Sequence, residues 1–213
     1  MTTQNTKPLL NVLIRTNNRP KGFNRLIESI EKQSFTNIRI IVSADNAETL
    51  EYVKDYDCVD EIVEVKRDNN AGRSPHNLYL NDLLKQVKEG FVIIIDDDDH
   101  VPDRYAFSRI MKELDPEKLN VVRMKWPNDR VIPEDEYFEQ VPFTRKHIGM
   151  PCLVFHSDFA DLVKFDAQRA ADFRAANKMA EVFGVNWIDY IVVNTGNKGN
   201  TGAKAENWDI VDD

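Results

Sequence analysis

The chain has 213 residues, 42% of them hydrophobic and 30% charged, which is the composition of a globular protein that can bury a sizeable core. Its formal net charge of −8 disfavours a protein that coats nucleic acid, although a local basic patch could still bind one strand or a diphosphate. The isolated Cys58 and Cys152 indicate reduced structural cysteines, and no segment approaches the roughly twenty apolar residues of a membrane span, so we expect a soluble, cytoplasmic protein.

Strands and helices alternate in the first 115 residues. Short apolar runs predict strands over 9–14, 38–42, 60–66 and 91–95. Apolar residues at helical spacing predict helices over 20–33, 47–56, 80–87 and 107–114. Because the strands are apolar on both faces, this order predicts an α/β fold with a mostly parallel central sheet flanked by helices.

The pattern changes after Val121. A strand-like segment is followed by a polar stretch over 127–146 that contains three prolines, a second strand over 148–155, a helix near 176–183 and a last strand over 190–193. We interpret residues 1–213 as a single domain in which a nucleotide-type half, 8–115, and a second half, 116–194, pack on one sheet. The glycine-containing tail, 195–213, is predicted to be flexible.

Four consecutive aspartates, Asp96 to Asp99, follow the apolar strand Phe91 to Ile95. In open α/β sheets, ligands bind outside the carboxyl ends of the strands. Adjacent carboxylates repel one another, and a divalent cation such as Mg²⁺ or Mn²⁺ neutralises them well while leaving positions for phosphate oxygens. The alternative without a ligand is a solvated acidic turn before the helix that follows Pro102.

Three ligand-binding interpretations of this segment compete. A calcium loop starting at Asp96 needs Gly and Glu where the chain has Val101 and Phe107, so that interpretation fails. A phosphatase of the haloacid dehalogenase type has its acidic strand near the start of the domain, whereas three strand-helix units precede this one. The third interpretation is a sugar-nucleotide transferase, in which the carboxylates hold a metal against the donor diphosphate.

Polar residues also follow the other predicted strands. Thr16 and Arg19 end the first strand, Asp45 ends the second, and Asn70 and Arg73 follow the third. Parallel strands bring these ends to one edge of the sheet. There a carboxylate such as Asp45 can accept a hydrogen bond from a uracil N–H, and Arg19 and Arg73 can pair with phosphates.

These segments together resemble the GT-A glycosyltransferases of family two. The resemblance rests on RTNNRP (15–20), SIEKQSF (29–35), NNAGRSPHN (69–77), DDDDHVPDR (96–104) and KFDAQRAADF (164–173). It implies a nucleotide-binding set of Thr16, Asn18, Arg19, Asp45, Asn70, Arg73, Asp96 and Asp97. It also implies a metal site at Asp98 and Asp96, although counting back from Pro102 favours Asp97. Asp172 is implied as the catalytic base, with Asp189 as the second candidate.

The activity implied by the resemblance is an inverting transfer of a sugar from a nucleotide-sugar, expected to be a UDP-sugar, to an acceptor hydroxyl with Mn²⁺ or Mg²⁺. Residues 116–194 would then bind the acceptor, a glycan or another hydroxyl compound. One alternative is a phage enzyme that glycosylates hydroxymethylpyrimidines in DNA in the host cytoplasm. It requires a basic face formed by Arg123, Lys125, Arg130, Arg145 and Lys146. A second alternative, motivated by Ala44 and Ala171 at usually acidic positions, is a non-catalytic nucleotide-sugar-binding module.

Overall fold

The structure is a computed structural model that describes residues 8–196. The strands are β1 (Leu10–Thr16), β2 (Ile38–Ala44), β3 (Glu61–Glu64), β4 (Phe91–Asp96), β5 (Leu119–Lys125), β6 (Val131–Ile132), β7 (Leu153–His156) and β8 (Val185–Asn194). The helices are α1 (Pro20–Glu31), α2 (Ala47–Val53), α3 (Tyr79–Leu84), α4 (Ala106–Ile110) and α5 (Ala171–Phe183). Most of the tail predicted to be flexible, from residue 197 onward, lies outside the described residues.

The strands form one sheet of mixed direction, ordered β3-β2-β1-β4-β7-β5-β6, with β8 paired to β5. β1 is parallel to both β2 and β4, and β2 is parallel to β3. The predicted α/β architecture with a parallel set of strands is therefore confirmed. As a consequence, the carboxyl ends of β1, β2 and β4 meet at one edge, with Thr16 opposite Ala44 and Arg15 opposite Asp96.

The core explains why the early strands are apolar on both faces. All residues of β4 from Phe91 to Ile95 are buried, because helices cover the sheet on both sides. Helix α1 contributes Phe23, Leu26, Ile27 and Ile30, which recur at the spacing of one helical face and are at most 3% exposed. Burying each such side chain stabilises the fold by about 1.5–3 kcal/mol relative to exposure. The site edge is thus supported by a rigid scaffold.

The second half departs from the predicted boundaries. The strand predicted over 148–155 is limited to β7, because Pro151 has no backbone N–H and a short 3-10 helix occupies Met150–Cys152. β7 is antiparallel to β4 and to β5, so the parallel order stops there. The last strand is longer than predicted, since β8 also includes the less apolar residues Val185 to Asp189.

Helix ends also differ from the sequence-based boundaries. Helix α2 ends at Val53 and helix α4 ends at Ile110, where irregular turns replace the predicted last turns. Helix α5 begins at Ala171, five residues before its predicted apolar stripe, because its first turn is polar. Within residues 8–196, none of the helices is both long and apolar enough to cross a membrane.

Candidate active site

The ends of β1 and β4 are joined by an ion pair between Arg15 and Asp96. The guanidinium donates from Nε to Oδ1 over 2.8 Å and from Nη2 to Oδ2 over 2.7 Å. This bidentate ion pair is among the strongest interactions that an arginine and a carboxylate can form. Both oxygens of Asp96, predicted to contact metal and nucleotide, therefore face Arg15. The sequence analysis did not select Arg15, although its parallel register opposite Asp96 could have indicated the pair.

Asp97 is turned into the protein and holds the turn between β1 and α1. It is 2% exposed and accepts hydrogen bonds from Thr16 Oγ1 at 2.8 Å, Arg19 Nη1 at 2.7 Å and the backbone N–H of Asn17 at 3.2 Å. Burial raises the pKa of the Asp97 carboxyl to about 6, and the charge of Arg19 opposes that rise. Thr16 and Arg19 thus both contact Asp97 directly.

Asp98 and Asp99 differ in their exposure to solvent and in their hydrogen-bond partners. The Asp98 side chain is 20% exposed and lies 3.7 Å from Arg19, whereas Asp99 is 4% exposed and accepts a 3.4 Å hydrogen bond from the backbone N–H of Gly196. Burial raises the pKa of both carboxyls, and the neighbouring carboxylates raise it further. Asp96 and Asp98 therefore face outward and Asp97 and Asp99 face inward, so the cluster presents only two of its four carboxyls.

The donor chemistry of this edge fits a hard divalent cation. Oxygen ligands suit Mg²⁺ and Mn²⁺, and a cation would relieve the repulsion that raises the pKa of Asp98. Asp98 is the better-placed ligand, because Asp96 is already paired with Arg15. Across residues 8–196, His, Cys, Asp and Glu side chains form no group of three that could hold a metal. A cation at Asp98 would hence take most of its ligands from phosphate and water.

Helix α1 approaches the aspartate segment at Gly22. A Cβ atom at this position would lie 2.6 Å from the backbone oxygen of Asp97. Gly22→Ala should add up to about 1 kcal/mol of helix propensity, but overpacking against backbone typically costs about 1–3 kcal/mol. We expect a net loss in the free energy of unfolding, measured by urea denaturation. Lys21→Ala, at the exposed neighbouring position, is the matched control and should not lose stability.

The end of β2 forms a second polar cluster. Asp45 accepts hydrogen bonds from Asn17 Nδ2 at 2.9 Å and from the hydroxyl of Tyr79 at 3.0 Å. Asn18 adopts a positive φ of 51°, and its backbone N–H donates to Thr49 Oγ1 at 3.0 Å. Asp45 is thus fixed beside the β1 turn, as expected for parallel neighbours. Tyr79 was missed, because nothing in the sequence separates it from the apolar residues of α3.

The two residues predicted after β3 lie apart from these clusters. Asn70 is exposed, and its backbone N–H donates to Asp68 Oδ1 at 2.9 Å within its own loop. Arg73 is exposed and lines an open cleft with residues of the second half. The structure therefore brings together Thr16, Arg19, Asp45 and the aspartates, while Asn70 has no described contact with them.

Asn77 links the strand ends to the segment that precedes α5. Its Oδ1 accepts from Arg15 Nη1 at 3.0 Å, and its Nδ2 donates to the backbone oxygens of Asp166 at 3.3 Å and Gln168 at 2.9 Å. Asn81 holds the same segment by exchanging two hydrogen bonds with the backbone of Phe165, at 2.8 and 2.9 Å. These two amides position the start of α5 relative to β1.

Asp172 lies in the first turn of α5, on the side of the molecule that Asn77 ties to β1. It is half-buried, and its Oδ1 accepts from the backbone N–H of Phe173 at 2.9 Å. Burial raises the pKa of the Asp172 carboxyl, while Arg15 lowers it and Asp96 raises it. A carboxylate from the second half is thus within electrostatic reach of the Arg15–Asp96 pair.

The second candidate base, Asp189, has a different environment. It lies within β8, its side chain is 70% exposed, and it is 2.6 Å from Arg123 Nε. Arg123 also pairs with Asp135 at 2.8 Å and donates to the backbone oxygen of Pro133, so this group ties the polar segment 127–146 to β5 and β8. In the sheet, β7 and β5 separate β8 from β4.

The basic face required for DNA is largely neutralised within the protein. Arg123 pairs with Asp135 and Asp189, Lys125 with Asp129 at 2.6 Å, and Arg130 with Glu134 at 2.5 Å. Cations that are already paired within the protein have less charge to offer to phosphates. Of the arginines in that predicted set, Arg145 alone lines the cleft that contains Arg73.

Asn77→Ala tests the link between the two halves. Removing the amide takes away the hydrogen bonds that join Arg15 to the backbone oxygens of Asp166 and Gln168, and a partly buried polar group that loses its partner costs about 1–3 kcal/mol. We expect a lower Tm than that of the wild type, measured by thermal unfolding. Asn24→Ala, on the exposed face of α1, should leave the Tm nearly unchanged.

Comparison with known proteins finds relatives of this chain. The sequence model described as Glycosyl transferase family 2 matches residues 11–147. The chain is 33% identical over 96 residues to the GalNAc(5)-diNAcBac-PP-undecaprenol beta-1,3-glucosyltransferase of Campylobacter jejuni subsp. jejuni serotype O:2; the aligned region is 44% of this chain and 31% of that relative.

Solved structures share the fold. S. aureus TarS 1–349 in complex with UDP-GlcNAc superposes with a TM-score of 0.71 at 18% identity, covering 95% of this chain and 62% of TarS 1–349. The mannosyltransferase PcManGT from Pyrobaculum calidifontis, in complex with GDP-Man and Mn²⁺, gives a TM-score of 0.67 at 19% identity, covering 92% of this chain and 59% of PcManGT.

This chain therefore spans about a third of the curated relative's length and about three fifths of these solved chains. The solved structures establish the GT-A fold, and the family match covers more than half of the chain, including β1 to β6. The resemblance seen in the sequence is confirmed, and the chain belongs to glycosyl transferase family 2.

Proposed function

We propose that this protein transfers a sugar from a nucleotide-sugar, specifically a UDP-sugar, to an acceptor hydroxyl with inversion at the anomeric carbon and with the help of Mn²⁺ or Mg²⁺. The observation that carries the proposal is that Asn77 accepts a hydrogen bond from Arg15 and donates to the backbone of Asp166 and Gln168, in the segment that leads into α5 and Asp172. This link supports a catalytic base in residues 116–194 that faces a donor site in residues 8–115.

The donor half offers complementary groups for a nucleoside diphosphate. Asp45, fixed by Asn17 and Tyr79, is suited to accept from the N–H of a uracil ring. Arg19, which reaches both Asp97 and Asp98, is suited to share its charge with a phosphate. Asp98, with Asp96 beside it, would hold the cation, and a divalent cation there would stabilise negative charge on the departing diphosphate.

Asp172 serves as the general base in this proposal. The acceptor hydroxyl gives its proton to the Asp172 carboxylate, and the hydroxyl oxygen forms a bond to the anomeric carbon. The bond from that carbon to the diphosphate oxygen breaks on the opposite face, and UDP leaves with the electron pair. Burial suits Asp172 to this role, because a raised pKa makes a carboxylate a stronger base.

Thermal unfolding with nucleotides tests the donor assignment. We expect UDP with Mn²⁺ or Mg²⁺ to raise the Tm, with GDP and TDP giving smaller shifts, because a ligand that binds only the folded state stabilises it. Slow release of UDP from a UDP-sugar should accompany the shift. If UDP, GDP and TDP all fail to raise the Tm with metal present, the proposal is wrong.

The other activities predict different results in the same experiment. A non-catalytic module would be stabilised by UDP and metal but would release no UDP from the donor. A phosphatase would ignore UDP and cleave a generic phosphoester. An enzyme acting on DNA would bind oligonucleotides at low salt, which the internal pairing of Arg123, Lys125 and Arg130 disfavours.

A further inference from the structure

An open cleft beside Asp172 is lined by arginines from three separate parts of the chain. It has a volume of about 480 Å³, and its lining residues are Arg73, Arg145, Gln168, Arg169, Ala170, Phe173 and Arg174. Arg73 comes from the loop after β3, Arg145 from the polar segment 127–146, and the others from the first turn of α5 and the residues before it. Four arginine residues therefore line one cleft in a chain whose net charge is −8.

Most of the positive charge of these arginines is not paired with a carboxylate. Arg174 is held by Asp166, with two hydrogen bonds of 2.7 and 2.5 Å. Arg73, Arg145 and Arg169 are exposed, and within residues 8–196 no ion pair joins them to a carboxylate. This contrasts with Arg123 and Arg130, whose charges are matched by acidic partners. Like charges gathered without partners repel one another, so a bound anion would relieve that repulsion.

The position of the cleft points to the acceptor. The proposed cation and donor diphosphate lie at Asp98 and Arg19, on the ends of β4 and β1. The cleft is instead built around the first turn of α5, which carries Asp172. A group bound among these arginines would accordingly lie on the side from which the acceptor hydroxyl reaches the base.

We infer that this arginine cleft binds a phosphate group of the acceptor, so that the preferred acceptor is a phosphorylated or diphosphate-linked sugar. The inference rests on the proposed glycosyl transfer. A phosphate monoester or diphosphate carries more than one negative charge and several acceptor oxygens, so it can pair with more than one guanidinium fork. A neutral glycan would leave the arginines unpaired. A nucleic acid needs an extended basic path, whereas Arg123, Lys125 and Arg130 of the predicted basic face are already paired.

Calorimetric titration of a sugar 1-phosphate into protein saturated with UDP and Mg²⁺ tests the inference, because UDP fills the donor site. The test variant is Arg145→Gln with Arg169→Gln, and Lys178→Gln, exposed on α5, is the charge-matched control. We expect the double variant to weaken sugar 1-phosphate binding by about tenfold or more, since it removes two charged hydrogen-bond donors. The corresponding methyl glycoside, which lacks the phosphate, should bind much more weakly to the wild type.

Several results would overturn the inference. One is equal binding of the sugar 1-phosphate to the wild type and the double variant. Another is a loss of UDP affinity in the double variant, which would place these arginines at the donor diphosphate. Tighter arginine-dependent binding of a single-stranded oligonucleotide would assign the cleft to nucleic acid. If the wild type binds no UDP, the proposed function fails; titration without nucleotide then still shows whether the arginines bind phosphate.

A transfer assay separates the two sources of such a phosphate. One arm supplies the water-soluble sugar 1-phosphate, and the other supplies the same sugar on a polyprenyl diphosphate in phosphatidylcholine vesicles. Arginine-dependent transfer in either arm supports the inference and identifies the source. Transfer to the methyl glycoside at the same rate as to both phosphate-bearing acceptors contradicts it.

Discussion

Asp172→Asn is expected to lower the rate of UDP release from the donor by about 10²–10⁴-fold, the usual contribution of a positioned general base. Asparagine keeps the size and the polar character of the side chain, so its Oδ1 can still accept from the backbone N–H of Phe173. The Tm shift with UDP and metal should therefore persist. A steady-state assay that follows free UDP measures the rate, and an unchanged kcat would remove Asp172 from the mechanism.

Asp189→Asn is the matched comparison for this change. Its carboxylate pairs with Arg123 and is mostly exposed, so the substitution should cost little stability and little activity. If Asp189→Asn abolished turnover while Asp172→Asn did not, the roles of the two residues would be reversed.

The pH profile of the wild type provides an independent check on Asp172. Burial raises the pKa of this carboxyl above the usual range of aspartate. The base acts only when it is ionised, so kcat should fall as the pH drops through that raised pKa, at a higher pH than an exposed aspartate would give. The acidic limb should disappear from the residual activity of Asp172→Asn. A profile that stays flat down to the ordinary pKa of aspartate would contradict the assignment.

Asp98→Ala is expected to abolish the extra Tm shift that metal gives to UDP and to weaken metal-dependent UDP binding by more than about tenfold. Asp98 is the outward carboxyl that is not committed to Arg15, so removing it takes away the best-placed ligand for the cation. The measurement is calorimetric titration of UDP with and without Mg²⁺. Asp57→Ala, at an exposed position after α2, is the control and should bind UDP as the wild type does.

The companion variant Asp96→Asn distinguishes the two outward aspartates. Because Asp96 accepts both hydrogen bonds from Arg15, we expect this change to disturb the end of β1 and to lower the Tm without ligand. If Asp96→Asn removed the metal effect while Asp98→Ala retained it, Asp96 would be the metal ligand and the assignment made here would be wrong.

Periodicity predicted β1, β2 and β4 well because their apolar runs are buried within one continuous core, whereas β3 is only partly buried and is shorter than predicted. The runs over 9–14, 38–42 and 91–95 became neighbouring parallel strands, and this placed Thr16, Asp45 and the aspartates at one edge. Counting along β4 favours Asp96 and Asp98 as the outward pair, which is what the structure has, but counting back from Pro102 favours Asp97, so the sequence alone left the choice open. Asp97 faces inward because the turn from Thr16 to Arg19 supplies its donors.

The remaining features depend on contacts between distant parts of the chain. Asn77 contacts the backbone at Asp166 and Gln168, and Arg73 shares a cleft with Arg145 and Arg169, but no local pattern in the sequence predicts which residues meet. The second-half strands were misplaced for a related reason. β7 and β8 are short or partly polar, and their pairing with β4 and β5 determines their bounds more than local pattern does.

The insertion of β7 between β4 and β5 has a consequence for how the chain folds. The edge of β4 that pairs with β7 has no partner strand during synthesis until Leu153–His156 emerges, although β1 to β4 have all been made by then. An open edge of buried aliphatic residues favours pairing with other chains. Completion of the sheet beside the aspartate segment is thereby coupled to the arrival of residues 116–194, and the first 115 residues would be a poor unit to transplant into another protein.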